Sequence, residues 1–215
     1  MIYLSDSRQF FYSTLLDSYS LKHGFGTKVL GDGRRPKYLK EYLQTNDIDY
    51  THLILPQQTH STNVQVVTLD NLVDKVVNIP DCDGIVTRMK NVVLTCITAD
   101  CVPIIYFDPQ MQLIGISHQG WKGTSHKLPH YMIEAMVAQG SLAKDIRCSF
   151  GPAINVCCYH MNLYQCNLDT LQDSGVLKEH IELFPFCTCC DEERFYSYRR
   201  DKGIKGEMMH FVMLG

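Results

Sequence analysis

Short apolar runs crowd the middle of the chain, each broken by a polar residue, proline or glycine. Leu53-Ile54-Leu55, Val64-Gln65-Val66-Val67, Gly84-Ile85-Val86-Thr87, Val92 to Ile97, Val102 to Phe107 and Leu113 to Ser117 are rich in β-branched residues. Bounded by Pro, Asp, Asn or Gly, they predict strands. Several are apolar at consecutive positions, the pattern of strands buried on both faces. The period then lengthens. Leu128, Met132, Ala135 and Met136 recur at helical spacing, which predicts a helix from about Ser125 to Gln139 with Gly140 at its stop. Pro129 fits only a first turn, which would move the start later. A second helix is expected over Leu168 to Gln172 or beyond, and Val212-Met213-Leu214 as a closing strand. Tyr38 to Leu43 forms a short amphipathic helix candidate, and the basic Arg34-Arg35-Pro36-Lys37 before it reads as a solvated helix start. No repeat or Pro/Gly/Ser-rich linker divides the chain, so one mixed α/β domain over residues 1–215 is expected.

Composition narrows the class. The chain has 215 residues, 45% hydrophobic and 20% charged, enough to bury a sizeable core. A net charge of −3 argues against nucleic acid as a partner, since a phosphate-tracking surface brings a basic excess. No apolar run approaches the roughly 20 residues of a membrane helix, and Met1 to Ser7 lacks the features of a secretory signal. A cytoplasmic protein is expected. Ten cysteines are the odd feature. Without signs of export they read as buried thiols, metal ligands or a nucleophile, with core packing the default for each.

Three segments put ligand or nucleophile types at strand ends, where a rigid sheet displays working residues. They are Pro56-Gln57-Gln58-Thr59-His60-Ser61, Thr98-Ala99-Asp100-Cys101-Val102-Pro103 and Ser117-His118-Gln119-Gly120-Trp121-Lys122-Gly123. His60, Cys101 and His118 form a set that suits Zn²⁺, and three protein ligands leave the fourth tetrahedral position open, as catalytic sites do. Their spacing matches no compact zinc-finger pattern, so the residues alone leave a shared metal and ordinary histidines both open. Cys187-Thr188-Cys189-Cys190, with His180-Ile181-Glu182 upstream, superficially matches the signature of zinc nucleobase deaminases. Those halves are too close together, and the cysteines read as reduced thiols. Cys157-Cys158 reads as packing.

Taken in order, these motifs resemble a known family, together with His23-Gly24-Phe25-Gly26-Thr27, Asp81-Cys82-Asp83-Gly84, Gly151-Pro152-Ala153-Ile154, Cys157-Cys158-Tyr159 and Phe195-Tyr196-Ser197-Tyr198-Arg199-Arg200-Asp201. The family is that of the proteins once labelled laccase-domain or multicopper polyphenol oxidoreductases and now treated as purine nucleoside phosphorylases. The resemblance runs nearly end to end. It implies a four-layer α/β/β/α sandwich with mixed sheets, and a zinc held by His60, Cys101 and His118. It also implies phosphorolysis of adenosine, inosine and methylthioadenosine, and deamination of adenosine. The expected partners are therefore purine nucleosides and phosphate, with no membrane. Two departures bear on specificity. Lys122 stands where the motif commonly has Arg, and lacks its planar fork. His160 stands where Glu commonly follows Cys-Cys-Tyr, and the segment after it is shorter than in relatives.

Within that reading Cys101, Asp100 and His118 are the candidate catalytic residues. An open zinc suits deamination, because it lowers the pKa of a bound water to about 7. Asp100 is the candidate proton shuttle, with a turn cap as the alternative. Lys122 is the phosphate candidate, with Gln58 and Arg199 as further substrate-binding residues. Arg200 is another anion candidate, and surface pairing with Asp191 or Glu192 is the plainer account of both arginines. Trp121 could stack on a purine, but core burial is its default. Three rivals stand beside this: a metal-free cysteine hydrolase using Cys101 and His118, a non-catalytic structural zinc module, and a copper-binding polyphenol oxidase. Copper is the alternative metal, but multicopper chemistry needs H-x-H pairs that this chain lacks.

Overall fold

In a computed structural model that describes residues 1–17 and 21–215, the final strand, Met208–Leu214, is buried along its whole length. Its period of two sorts the side chains. Met208, Val212 and Leu214 enter the larger core, while Met209, Phe211 and Met213 enter a second, smaller one. Val92–Thr98 does the same beside it, with Val92, Leu94 and Cys96 on one side and Val93 on the other. Consecutive apolar positions thus mark a sheet covered on both faces, as the sequence predicted.

Among the described residues, that sheet holds seven strands. Their order is β1 (Ile2–Leu4), β2 (Phe10–Ser13), β3 (Leu21–Gly26), β13 (Met208–Leu214), β8 (Val92–Thr98), β4 (His52–Pro56) and β6 (Val76–Ile79). The second sheet runs β12 (Ile181–Glu182), β11 (Arg147–Phe150), β9 (Val102–Asp108), β10 (Leu113–Gln119), β7 (Gly84–Thr87) and β5 (Val64–Val66). Both mix parallel and antiparallel pairs. Their inner faces meet in the larger core, through residues such as Leu94, Ile105, Ile114 and Val212. The helix Lys37–Thr45 closes the smaller core on the outer face of the first sheet through Leu39, Tyr42 and Leu43. The helices Leu128–Ala138 and Leu163–Asp173 cover the second sheet with Met132, Met136 and Leu171. The four layers are α/β/β/α, as expected.

Local differences have physical causes. The helix expected from Ser125 to Gln139 is two helices, Trp121–Ser125 and Leu128–Ala138. Lys127 between them takes a left-handed conformation, and Pro129 sits in the first turn of the second helix, the one place that tolerates it. Gly140 follows with φ of 99°, as a C-terminal stop requires. The helix expected near Leu168 starts earlier, at Leu163, where the Asn162 side chain accepts from the Gln165 N–H. No described helix is long and apolar enough to cross a membrane.

Candidate metal and nucleoside site

The β8–β9 connection places Cys101 immediately before β9, and the β9–β10 pairing sets Val102 opposite Gln119. That register brings Cys101 beside Gly120. His118 lies in β10, buried, and His60 lies on the loop between β4 and β5 in a left-handed conformation, with φ of 61°. The Nε2 of His60 and the Sγ of Cys101 are 3.8 Å apart. The rings of His60 and His118 meet edge to face with centroids 4.7 Å apart. One ligand atom from each of the three residues lies within 4.8 Å of the others. The strand ends thus bring together the three residues that the sequence singled out.

Asp83, not among the expected site residues, organises them. Its Oδ1 lies 2.8 Å from His118 Nδ1 and accepts the His60 N–H at 3.2 Å. Its Oδ2 accepts the N–H and the hydroxyl of Ser61, both at 2.7 Å, and the Thr59 N–H at 3.1 Å. Burial alone would raise this carboxyl, but the bonds from His118 and Ser61 outweigh it and hold it well below the usual carboxylate range. The Nδ1 bond to Asp83 leaves Nε2 of His118 for the cluster. A carboxylate behind a histidine in this way fixes ring orientation at metal sites. Burial likewise pushes the Cys101 thiol up, yet His118 and then His60 bring it down to about 7, and the same thiolate raises His118. A nitrogen–sulfur–nitrogen donor set with its outer carboxylate fits a borderline metal ion such as zinc. Gly120 completes the cradle, since a Cβ there would overlap His60 Cδ2 and come 3.2 Å from Cys101 Sγ.

The cluster opens into a cleft of about 790 Å³, within the range of small-molecule sites. Trp121, Tyr159 and Tyr198 present aromatic surface there, and Arg34 and Arg199 are the lining cations. Trp121 is 52% exposed, which corrects the expectation of a core anchor: it opens a short helix above the cleft instead of pointing into a sheet. Arg34 belongs to this wall as well as to a helix start, held by Asp32 through bonds of 2.7 to 3.0 Å. Arg199 lies over the Tyr159 ring at 5.0 Å. Glu207, also unforeseen, contributes a lining carboxyl that burial pushes up.

The other expected residues fall as follows. Gln58 lines the cleft, but its amide donates to Ile97 O at 2.7 Å and accepts the Ile97 N–H at 2.8 Å, pinning the loop to β8. Asp100 is buried at φ of 94°, and accepts from Thr188 Oγ1, Ser197 Oγ and the Arg199 N–H at 2.7, 3.0 and 2.7 Å. Lys122 is exposed on the Trp121–Ser125 helix, its Nζ 5.7 Å over the Trp121 ring, and is not part of the cleft lining. Arg200 donates to the carbonyls of Thr188 and Phe195 and to Asp201, while Asp191 pairs with Arg194. His160 is exposed, with its ring against Tyr159.

The family model described as multi-copper polyphenol oxidoreductase laccase matches residues 37–162 and 159–215. The chain belongs to this family. Among family relatives, the purine nucleoside phosphorylase YlmD of Bacillus subtilis is 30% identical over 82% of this chain and 74% of its own. The adenosine deaminase RL5, from an unknown prokaryotic organism, is 28% identical over 71% of each chain. The crystal structure of YlmD from Geobacillus stearothermophilus superposes with a TM-score of 0.89 at 24% identity, over 99% of this chain and 98% of its own, and supports the fold. The family resemblance and the four-layer fold expected from the sequence are both borne out.

Proposed function

We propose that this chain is a zinc-dependent purine nucleoside enzyme that cleaves the glycosidic bond with phosphate and also deaminates adenosine at the His60–Cys101–His118 cleft. Adenosine, inosine and methylthioadenosine are the proposed substrates of phosphorolysis. The observation that carries this reading is the convergence of three ligand atoms, one of them from a residue backed by Asp83, in the lining of a cleft that also carries aromatic rings and arginines. Relatives named for phosphorolysis and for deamination support the two reactions.

His60, Cys101 and His118 would hold the zinc, which supplies Lewis acidity when bound. The rest of the work falls to the chain's own groups. Trp121 and Tyr198, both exposed, offer aromatic faces on which a purine stacks. Arg199, already turned toward the cleft, supplies a planar fork for phosphate, with Lys122 a second cation beyond the rim. Asp100 fixes Arg199 through its backbone N–H, a positioning role that fits its three hydrogen bonds better than proton transfer. Glu207 is the lining carboxyl suited to moving a proton, because burial favours its protonated form.

A second reading has one observation in its favour. The Cys101 thiol, lowered to about 7 beside His118, is also what a cysteine nucleophile requires. Incubation of purified protein with adenosine, with and without phosphate, tests the main reading. Adenine formed only with phosphate, together with inosine, is the expected result. No conversion of any of the three nucleosides overturns it.

A further inference from the structure

Outside the cleft, four thiols meet. Cys157 and Cys158 lie in the turn after Gly151-Pro152-Ala153-Ile154, and Cys187 and Cys190 in the loop before the helix Tyr198–Asp201. The two segments are stitched together by a parallel bridge between Ala153 and Cys187 and by the Thr188 N–H donating to Ala153 O at 3.0 Å. Cys190 Sγ is 3.4 Å from both Cys157 Sγ and Cys158 Sγ. All four sulfurs lie within 4.8 Å of one another. All four are reduced thiols, as expected, and Cys158 and Cys187 pack against the larger core, but Cys157 and Cys190 are exposed, which packing does not explain.

The separations discriminate between chemistries. A disulfide needs about 2.05 Å between sulfurs, and all four cysteines are free thiols. Tetrahedral ligands at the zinc–sulfur distance of about 2.3 Å stand roughly 3.8 Å apart, close to what these sulfurs already show. Cys187-x-x-Cys190 has the ligand spacing of structural zinc sites. The Cys187 sulfur also accepts the Asn155 N–H at 3.3 Å, as a ligating thiolate does. Arg200 steadies the same loop through the Thr188 and Cys189 carbonyls, at 3.0 and 3.4 Å, and brings positive charge to a site that would carry four thiolates.

We infer that Cys157, Cys158, Cys187 and Cys190 form a second, structural metal site for zinc or another thiophilic divalent ion, closed by four protein sulfurs and independent of the cleft. Its consequence for the molecule is mechanical. Thr188, inside the Cys187–Cys190 loop, donates to Asp100, and Tyr159, next to Cys158, lies under Arg199 in the cleft wall. A metal clipping the two loops together would hold that wall in place, whatever reaction the cleft performs.

Metal analysis of protein purified without added metal tests this. The double variant C187S/C190S is expected to hold about one zinc ion per chain fewer than the unmodified protein. His60→Ala, which damages only the cleft site, is expected to retain the ion at the four sulfurs. Should the double variant not fold, zinc-edge X-ray absorption on His60→Ala gives the same answer, with a shell of about four sulfurs expected. Equal zinc in C187S/C190S and the unmodified protein, an oxygen- and nitrogen-rich shell in His60→Ala, or these thiols isolated as metal-free disulfides would each overturn the proposal. Loss of only the cleft ion from His60→Ala is the expected outcome, and a folded His60→Ala protein that holds no metal would also overturn the proposal.

Discussion

Asp83 Oδ1 and His118 Nδ1 are 2.8 Å apart, and the same carboxylate gathers the backbone of the loop that carries His60. One buried side chain therefore sets two of the three residues proposed to hold the metal. Replacing it by Asn keeps an acceptor for His118 but turns an amide N–H₂ toward the donors of Ser61. Asp83→Asn is expected to lower zinc affinity about 10- to 100-fold, measured by competition with a chromophoric chelator. Unchanged affinity would show that the carboxylate has no part in ligand orientation.

Gly120 gives a steric test that leaves every ligand in place. Gly120→Ala drives a methyl into His60 and toward Cys101, so turnover and metal binding should fall together. Gly123→Ala is the control, because its Cβ would meet only ordinary contacts, with Leu128 at 3.5 Å and Ser61 O at 3.5 Å. Equal losses in both variants would mean a general disturbance of the short helix.

Arg199 and Lys122 separate the two proposed reactions. A charged hydrogen bond contributes about 1.5–3 kcal/mol, or roughly 10- to 100-fold. Arg199→Ala should raise the KM for phosphate by about that factor, with a smaller effect on deamination, which uses no phosphate. Lys122→Ala, further from the cleft, should change phosphorolysis less. Parallel losses of both activities in Arg199→Ala would remove phosphate binding from its role.

Much of this arrangement was readable before folding. The strands between Gly84 and Gln119 declare themselves because burial on both faces demands continuous apolar runs, and His60, Cys101 and His118 stand out at strand ends. Asp83 was not, although Asp81-Cys82-Asp83-Gly84 was visible as a motif: its role exists only once β7 and β10 bring it against His118. Trp121 reads from the sequence as a core residue because a lone tryptophan is usually buried, whereas here it begins a helix at the cleft edge. Cys157-Cys158 and Cys187-Thr188-Cys189-Cys190 each look incomplete as metal motifs. The Ala153–Cys187 bridge brings them together, and nothing in the spacing encodes it.

His210 makes stability pH-dependent. It is fully buried in β13, and its Nδ1 accepts the Gly26 N–H at 3.2 Å, so the proton sits on Nε2, which faces Thr98 Oγ1 at 2.9 Å. Burial lowers it to about 3, against a usual value near 6.5. Below pH 6.5 the unfolded chain therefore binds a proton that the native state refuses. Stability should fall by about 1.4 kcal/mol per pH unit from this group as pH drops through the window from 6.5 toward 3. Denaturant titrations at pH 7.5, 6 and 5 measure the slope, and His210→Gln should reduce it without abolishing it, because burial lowers His23 in the same way. An unaltered slope in the variant would contradict the assignment.

Nucleoside conversion is expected to depend on a metal held by His60, Cys101 and His118. The rate of adenosine conversion, with phosphate present, by native, chelator-stripped and zinc-restored protein tests that dependence. Loss of conversion on stripping and recovery with zinc, but not in Cys101→Ala, is the predicted result. Full conversion by metal-free protein, abolished by Cys101→Ala, would contradict it and favour the cysteine nucleophile.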